Sequence, residues 1–388
     1  MRLSLCSALA LLVCSPSFAA PQGVTDDTIK IGQYSDLSGA AAVWGVSATN
    51  GTRMRVDEVN AAGGVHGRRI ELIVEDAQYQ VPLSVRAANK LLNRDKIFVM
   101  LGSMGTPMNN AVLPRQLQMG VPNLFPVTAA VSMYEPLHPM KFSYYVSYRD
   151  QARGGIAYMV KKTGARKVCL QTQATDYGHE TEIGYETAVE ELGLESVYLG
   201  RHKVTETDFV GTVTSLKNSG CELLFMGTII KDTILLYTTA REAGFDAPIV
   251  SNMVVYLPLI AEAADGGMEG LYSAAPFIVA DYHAPGDDNA WVRAWYDSYV
   301  EKFGEEPTPQ AQIGYVTTDL MIKALEHAGR DLTTEKLLEG VEAIREYQDP
   351  FGGPTLSFGP DKHQGSDFLM LAQVQDGKWQ VVEPRLPY

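Results

Sequence analysis

Two successive series of strand-like and helix-like segments constrain the fold of this chain more than any other feature of its sequence. In the first series, β-branched and apolar runs at 29–34, 69–75, 97–101 and 122–125 alternate with helical patterns at 48–61, 83–93 and 107–118. Strands that alternate with helices predict a parallel sheet covered by those helices, with right-handed connections. The first part of the chain is therefore expected to form a doubly wound α/β unit.

The pattern stops near 142–147 and then begins again. Helical patterns at 151–162, 178–191, 209–218 and 230–242 alternate with strand-like runs at 167–172, 195–203, 222–226 and 249–250. Two similar α/β units in succession predict two domains, and a length of 388 residues favours the same division.

The section 276–343 is almost wholly helical, with segments at 291–302, 312–327 and 334–343. Because helices without strands need a sheet face to cover, this section is expected to return to the first domain. The chain then crosses again near 351–353, and strands at 368–375 and 378–382 complete the second domain. Lobe 1 is predicted to comprise 20–145 plus 276–350, and lobe 2 to comprise 146–275 plus 351–388. Several crossings between two lobes form a hinge, and a hinge makes a closing cleft.

The N-terminus carries an export signal. Arg2 precedes an apolar run at 3–13, and the small residues Ser17 and Ala19 favour cleavage after Ala19. Residues 1–19 are therefore predicted to be a signal peptide. Lipidation at Cys14 is disfavoured, because 11–13 lacks the small residue expected before a lipidated cysteine. No later stretch is long and apolar enough to predict a membrane span.

Composition excludes several classes of function. A formal net charge of −14 disfavours nucleic acid as a partner. The sequence has no nucleophile elbow, P-loop, dinucleotide fingerprint or zinc-protease helix, which argues against an enzyme, and it predicts no cofactor and no metal site. Only Cys169 and Cys221 remain after export. Their spacing does not show whether they meet, and two buried thiols are favoured over a disulfide.

Ligands of open parallel sheets bind outside the carboxyl ends of the strands. The loops that qualify are 35–45, 102–107 and 126–130 in the first domain, and 173–178, 227–231 and 251–256 in the second. We expect the ligand to lie between these two groups of loops.

The first-domain loops carry hydroxyl groups close to helix N-termini, at Ser38, Ser103, Thr106 and Thr128. Backbone N–H groups and the helix dipole favour a carboxylate there, although Ser and Thr also commonly cap helices. Large apolar and aromatic residues lie in the loops of both domains: Trp44, Met104, Met108, Tyr177, Met253 and Tyr256. They suit a ligand with an apolar or ring-shaped body, or they pack the two cores. Three charged residues, Asp36, Asp176 and Lys231, are interpreted as surface groups.

The segment 60–72 (NAAGGVHGRRIEL) resembles the helix-turn-strand signature of the leucine/isoleucine/valine-binding protein family. The segments DAQ at 76–78, ANKLL at 88–92, TDF at 207–209, REAGF at 241–245 and FGPD at 358–361 are similar to that family in the same order. The resemblance implies a periplasmic binding protein of type I, with two lobes joined by a three-crossover hinge. It also implies a small-molecule ligand and an ABC transporter permease as partner.

Carrying over the family's binding positions gives a mixed result. Trp44, Thr106 and Tyr177 match positions that contact ligand in the family. Met253 replaces the carboxylate that pairs with the ligand ammonium, and Ile229 replaces a tyrosine. The family's second carboxylate-binding hydroxyl falls at Ala129, beside Thr128. The disulfide positions of the family's first lobe fall on Gln78 and Gly105, so that bridge is absent.

These replacements predict a ligand that keeps a carboxylate and lacks an α-ammonium, because a buried ammonium without a charged partner is costly. An aromatic or other apolar carboxylic acid fits this description. Two alternatives stay open: a binding protein for branched-chain or other amino acids, and a soluble ligand sensor for a membrane receptor. The predicted site residues are Trp44, Ser103, Met104, Thr106, Thr128, Ala129, Tyr177, Ile229 and Met253.

Overall fold

Strands from two parts of the chain form two separate sheets. A computed structural model of the protein describes residues 21–286 and 289–388, so the predicted signal peptide at 1–19 lies outside the described residues. The first sheet has five parallel strands in the order β2-β1-β3-β4-β5. Its elements are β1 (Thr28–Ser35), α1 (Ala42–Ala61), β2 (Arg69–Asp76), α2 (Val81–Asn89), β3 (Val99–Leu101), α3 (Thr106–Gln118), β4 (Asn123–Leu124) and β5 (Lys141–Phe142).

The second sheet has seven strands in the order β12-β11-β10-β9-β8-β6-β7. Its elements are α4 (Tyr148–Thr163), β6 (Lys167–Gln173), α5 (Asp176–Leu192), β7 (Glu195–His202), α6 (Val210–Asn218), β8 (Leu223–Gly227), α7 (Ile230–Glu242), β9 (Ile249–Asn252), α8 (Pro258–Ala261), β10 (Tyr272–Ala275), β11 (Met370–Gln375) and β12 (Lys378–Glu383). Strands β11 and β12 are antiparallel to each other, and β11 is antiparallel to β10. Asp376 and Gly377 join them with positive φ angles of 52° and 71°, as a tight hairpin turn requires. The predicted α/β fold of two lobes is confirmed, with an antiparallel hairpin added at one edge.

Two strands were not predicted from the sequence. Strand β5 is only two residues long and lies in the segment where the alternating pattern stops. Strand β10 reads Tyr-Ser-Ala-Ala, which lacks β-branched residues. It becomes a strand because β9 and β11 bond it from both sides.

The late helical section packs on the first lobe. It forms α9 (Ala290–Phe303), α10 (Pro309–Ala328) and α11 (Thr334–Glu342), and α10 lies along α1. The chain therefore passes between the lobes after β5, after β10 and between α11 and β11. No helix of the described residues combines the length and the apolar character needed to cross a membrane.

Cys169 and Cys221 form a disulfide, with their Cα atoms 5.9 Å apart, which corrects the preference for two free thiols. Cys169 lies on β6, and Cys221 lies just before β8, the strand that pairs with β6. Sequence spacing could not reveal this contact, because it depends on the register between two strands that are 52 residues apart at the bridge.

Removing the disulfide is expected to lower the stability of lobe 2. A bridge that closes a loop of this length restricts the unfolded chain and contributes about 4 kcal/mol to the free energy of unfolding. The double variant Cys169→Ser and Cys221→Ser should lose about this amount in urea titrations under oxidising conditions. Wild-type protein treated with reductant should match it, and an unchanged urea midpoint in both samples would contradict the assignment.

Asp349, on the last passage between the lobes, makes stability depend on pH. Burial raises the pKa of its carboxyl from 3.8 to about 6, although the backbone N–H of Phe351 donates to it at 2.8 Å and opposes the rise. The folded protein therefore holds this proton more tightly than the unfolded chain does. The resulting stabilisation is complete below about pH 4 and is lost as the pH rises to about 6.

The variant Asp349→Asn should avoid that loss, since an amide oxygen can still accept from Phe351 and carries no charge. We expect a gain of about 2 kcal/mol in the free energy of unfolding at pH 7 relative to wild type, and little gain at pH 4. Urea titrations at the two pH values measure it, with the exposed Asp361→Asn as control. Equal gains at both pH values would show that the carboxyl proton is not involved.

Candidate functional site

Loops from both lobes meet at the carboxyl ends of the two sheets. All nine residues predicted for the site are buried in the structure. Two hydrogen bonds join the lobes beside these residues: Asn110 donates to Asp176 at 2.7 Å, and Glu180 accepts from the backbone N–H of Val131 at 3.5 Å. The lobes are thus closed over the candidate site.

A cluster of hydroxyl groups forms the first-lobe wall. The hydroxyl oxygens of Thr106 and Thr128 lie 2.7 Å apart, although the residues belong to different loops. Thr106 is the first residue of α3, and the N-cap before it is Gly105, which has no capping side chain. The Thr106 hydroxyl therefore does not serve as an N-cap, and it is directed to Thr128 instead.

Tyr148 adds a third hydroxyl that the sequence analysis missed. It is the first residue of α4, and its backbone N–H donates to the carbonyl of Ala129 at 3.0 Å. Burial raises the pKa of Tyr148 to about 12, and the nearby backbone N–H of Ala129 and hydroxyls of Thr128 and Thr106 oppose that rise. The phenol oxygen therefore lies close to the polar groups of the first-lobe wall.

Trp44 lies in the first turn of α1 and is 3% exposed. Its indole Nε1 is buried and has no hydrogen-bond partner among the described residues, 21–286 and 289–388. An unsatisfied buried donor is costly, so this N–H is suited to an acceptor that a ligand supplies. The ligand contact that the sequence predicted for Trp44 stays a prediction.

Ser103 and Met104 are engaged within lobe 1. The Ser103 hydroxyl accepts the backbone N–H of Tyr34 at 3.2 Å, and Met104 forms a parallel bridge with Val127. Ser38 donates to Asp76 at 2.6 Å on the exposed side of its loop. The structure therefore does not bring the Ser38 and Ser103 hydroxyls into the Thr106–Thr128 cluster.

The second-lobe wall is apolar. The ring of Tyr177 meets the ring of Tyr148 edge to face, with centroids 5.0 Å apart. Its hydroxyl turns away and donates to the carbonyl of Thr228 at 3.0 Å, so Tyr177 offers only its ring to the cleft. Met253 is fully buried, and its backbone N–H donates to Gln151 at 2.9 Å.

Carboxylates close to the cleft are already paired with protein groups. Asp36 is buried, which corrects its interpretation as a surface group, and it accepts three backbone N–H bonds, from Ser38, Gly39 and Ala41. The sequence analysis did not identify the buried Asp232, which accepts from His202 at 2.8 Å, from Gln173 at 2.9 Å and from the backbone of Ile229 at 2.9 Å.

Glu180 is held in the same way. It pairs with Arg149, whose Nε lies 2.8 Å from one carboxylate oxygen. Asp176 is exposed and accepts from Asn110 across the lobes. These carboxylates all accept hydrogen bonds from protein groups. None of them is left as a charged partner for a ligand ammonium, which is the role that the resemblance assigns to the family's carboxylate.

Comparison with known proteins identifies the family. A sequence model described as "Periplasmic binding protein" matches residues 28–378. The chain belongs to this family. The sequence motifs predicted the type I, leucine/isoleucine/valine-binding branch of this family. Relatives of the chain that are named as Leu/Ile/Val-binding proteins confirm that prediction.

Relatives of the chain are distant but cover nearly all of it. An "Amino acid binding protein" of Pseudomonas aeruginosa is 24% identical over 331 residues, which span 83% of this chain and 84% of that protein. A "Leu/Ile/Val-binding protein homolog 7" of Brucella abortus is 24% identical over 399 residues, spanning 97% and 96% of the two chains. Both identities are low, so the names of these relatives do not establish the ligand of this chain.

Solved structures share the fold. A fatty acid ABC transporter substrate-binding protein from Thermomonospora curvata superposes with a TM-score of 0.84, at 23% identity and 95% coverage of both chains. A branched chain amino acid ABC transporter protein from Thermus thermophilus with bound valine also gives 0.84, at 17% identity and 93% and 97% coverage. Proteins with this fold therefore include one named for a fatty acid, which has no ammonium group, and one with bound valine, which has an ammonium group.

Proposed function

We propose that this protein is the periplasmic solute-binding component of an ABC transporter and that it binds a small carboxylate with an apolar or aromatic body. The observation that carries the proposal is the buried pair of Thr106 and Thr128 hydroxyls, which lie 2.7 Å apart in the first-lobe wall. Hydroxyl donors suit a carboxylate, because charge-assisted hydrogen bonds are stronger than neutral ones.

In the proposal, the ligand carboxylate accepts from the hydroxyls of Thr106 and Thr128 and from the backbone N–H of Ala129. Trp44 Nε1 supplies a further donor to the ligand, which would satisfy that buried group. The ring of Tyr177, together with Ile229 and Met253, covers the apolar body of the ligand from lobe 2.

An amino acid is the second candidate, favoured by the names of the relatives in Pseudomonas aeruginosa and Brucella abortus. It requires a partner for the ammonium group. The resemblance to the family implies that Met253 replaces its acidic residue, and Asp36 and Asp232 are saturated by protein donors. A buried ammonium would therefore be left without a charged partner, which costs several kcal/mol.

We further propose that the chain is exported with cleavage after Ala19 and that the closed form is recognised by a permease. Lobe 1 then comprises 20–145 plus 276–350, and lobe 2 comprises 146–275 plus 351–388. Ligand binding would favour closure because the wall residues belong to both lobes. We propose no catalytic role for any residue.

Calorimetric titration with matched ligands tests the proposal. Three compounds share one carbon skeleton: 4-methylpentanoate, its primary amide and leucine. We expect the acid to bind at least about tenfold more tightly than the amide, which lacks the charge, and about 100-fold more tightly than leucine. A second set, 3-phenylpropionate, its amide and phenylalanine, extends the test to an aromatic body. Tighter binding of leucine or phenylalanine than of the matching acids would favour the amino-acid alternative.

A further inference from the structure

A second space between the lobes lies outside the hydroxyl cluster. This outer cleft has a volume of about 690 Å³, and its lining includes Tyr79, Val81 and Met108 from lobe 1 and Ala174 and Val204 from lobe 2. Volumes of this size accommodate small organic ligands. Pro107 and Met108 directly follow Thr106, so the outer cleft begins one residue away from the first-lobe wall of the candidate site.

Tyr79 lies beside both the outer cleft and the turn that leads to Thr106. Its ring packs over the turn that starts α3: a Cβ placed on Gly105 would lie 3.3 Å from Tyr79 Cε2. Tyr79 also lines the outer cleft. Burial raises the pKa of Tyr79, and Tyr148 of the hydroxyl cluster and Asp232 of lobe 2 raise it further. Because residues of both lobes line the outer cleft with it, Tyr79 lies where the two lobes face each other.

The backbone holds Tyr79 in this place. Gln78 and Tyr79 both have positive φ angles, 49° and 53°, which non-glycine residues rarely adopt. The carboxylate of Asp76 fixes the turn, because it accepts the backbone N–H groups of Leu37 and Gln78, each at 3.0 Å. A side chain on so constrained a turn has a defined position, as a wall of a binding site requires.

We propose that Tyr79 is a specificity-determining residue that separates the inner carboxylate site from the outer cleft and thereby limits the length of the ligand. This inference rests on the proposed function. With Tyr79 in place, the apolar body of the acid must fit within the inner site. With a small residue at this position, the two spaces join and a longer body extends into the outer cleft.

Titration calorimetry with straight-chain acids from butanoate to dodecanoate, and with ω-phenyl acids of increasing chain length, tests the inference. In wild type, affinity should rise with length by about fourfold for each buried methylene and then fall beyond an optimum. In Tyr79→Ala, the optimum should move by at least two carbons, and the longest acids should bind at least about tenfold more tightly than they bind wild type. Tyr79→Leu keeps apolar packing in the turn and gives the same test if the alanine variant is poorly folded.

Tyr79→Phe is the matched control, since it keeps the ring and removes only the hydroxyl. Its length profile should equal that of wild type. If the alanine and leucine variants bind acids but keep the wild-type optimum, the inference is overturned while the proposed function stands. If wild type binds none of the acids, the proposed function fails, and the inference fails with it.

Discussion

Replacing both Thr106 and Thr128 with valine is expected to weaken binding of a carboxylate ligand by at least about 100-fold. Valine keeps the shape of threonine, and it removes the two hydroxyls that lie 2.7 Å apart in the first-lobe wall. A hydrogen bond to a charged group contributes about 1.5–3 kcal/mol, so losing two of them corresponds to a loss of this size. Binding of the matching neutral amide should fall much less, because it has no charge for the hydroxyls to stabilise.

The same substitution at a distant buried threonine provides the control. Thr318 on α10 is fully buried, and its hydroxyl donates to the carbonyl of Gly314 at 2.7 Å within the helix. Thr318→Val should leave acid affinity unchanged. Calorimetry on the double variant, both single variants and this control gives the comparison. A double variant whose acid affinity stays within threefold of wild type would remove the hydroxyl cluster from the site.

Replacing Gly314 with alanine is expected to cost lobe 1 about 4 kcal/mol or more. Helices α1 and α10 approach so closely that a Cβ on Gly314 would lie 2.0 Å from the backbone oxygen of Ala48. The reverse contact is equally tight, since a Cβ on Gly51 would lie 1.9 Å from the backbone oxygen of Ala311. Neither oxygen can rotate away as a side chain can, so the two helices must separate. Overpacking that moves backbone belongs to the most destabilising class of substitution.

Gly211 offers a matched control in α6, where a Cβ would meet nothing within 4 Å. Gly211→Ala should be neutral or slightly stabilising, because alanine is the better helix former by up to about 1 kcal/mol. Urea unfolding followed by circular dichroism compares the two variants with wild type. A Gly314→Ala protein as stable as the Gly211→Ala protein would mean that α1 and α10 do not pack at these glycines.

The alternation of strands and helices was sufficient to predict the two α/β lobes and the return of the late helices to lobe 1. The prediction succeeds because each helix or strand must bury an apolar face. The period at which its apolar residues recur distinguishes a helix from a strand. The two unpredicted strands are β5 and β10, whose lengths and residues carry no such period. Their formation depends on neighbouring strands, which local sequence does not specify.

The candidate site was predictable only in part. Trp44, Thr106 and Thr128 lie in loops that follow strands of lobe 1 or in the first helical turn after such a loop, so the position of the loops was enough to select them. Tyr148 was missed because it begins a helix at a crossing between lobes, where the pattern of the chain stops. A search of the crossings as well as the loops would have identified it.

Tyr79 was missed for a different reason. It directly follows the 76–78 segment that resembles the family, in a turn whose positive φ angles are not evident from its residue types. The Cys169–Cys221 disulfide was missed for a related reason, since it depends on strand register. Both features depend on tertiary structure, so they cannot be predicted from local composition and residue spacing.

A crystal structure of the protein with 4-methylpentanoate tests the central claim most directly. The account predicts that the carboxylate oxygens lie within about 3 Å of the Thr106 and Thr128 hydroxyls and the Ala129 N–H, with the methyl groups facing Tyr177 and Met253. A carboxylate bound against the second-lobe wall, with its methyl groups on the two threonines, would contradict it.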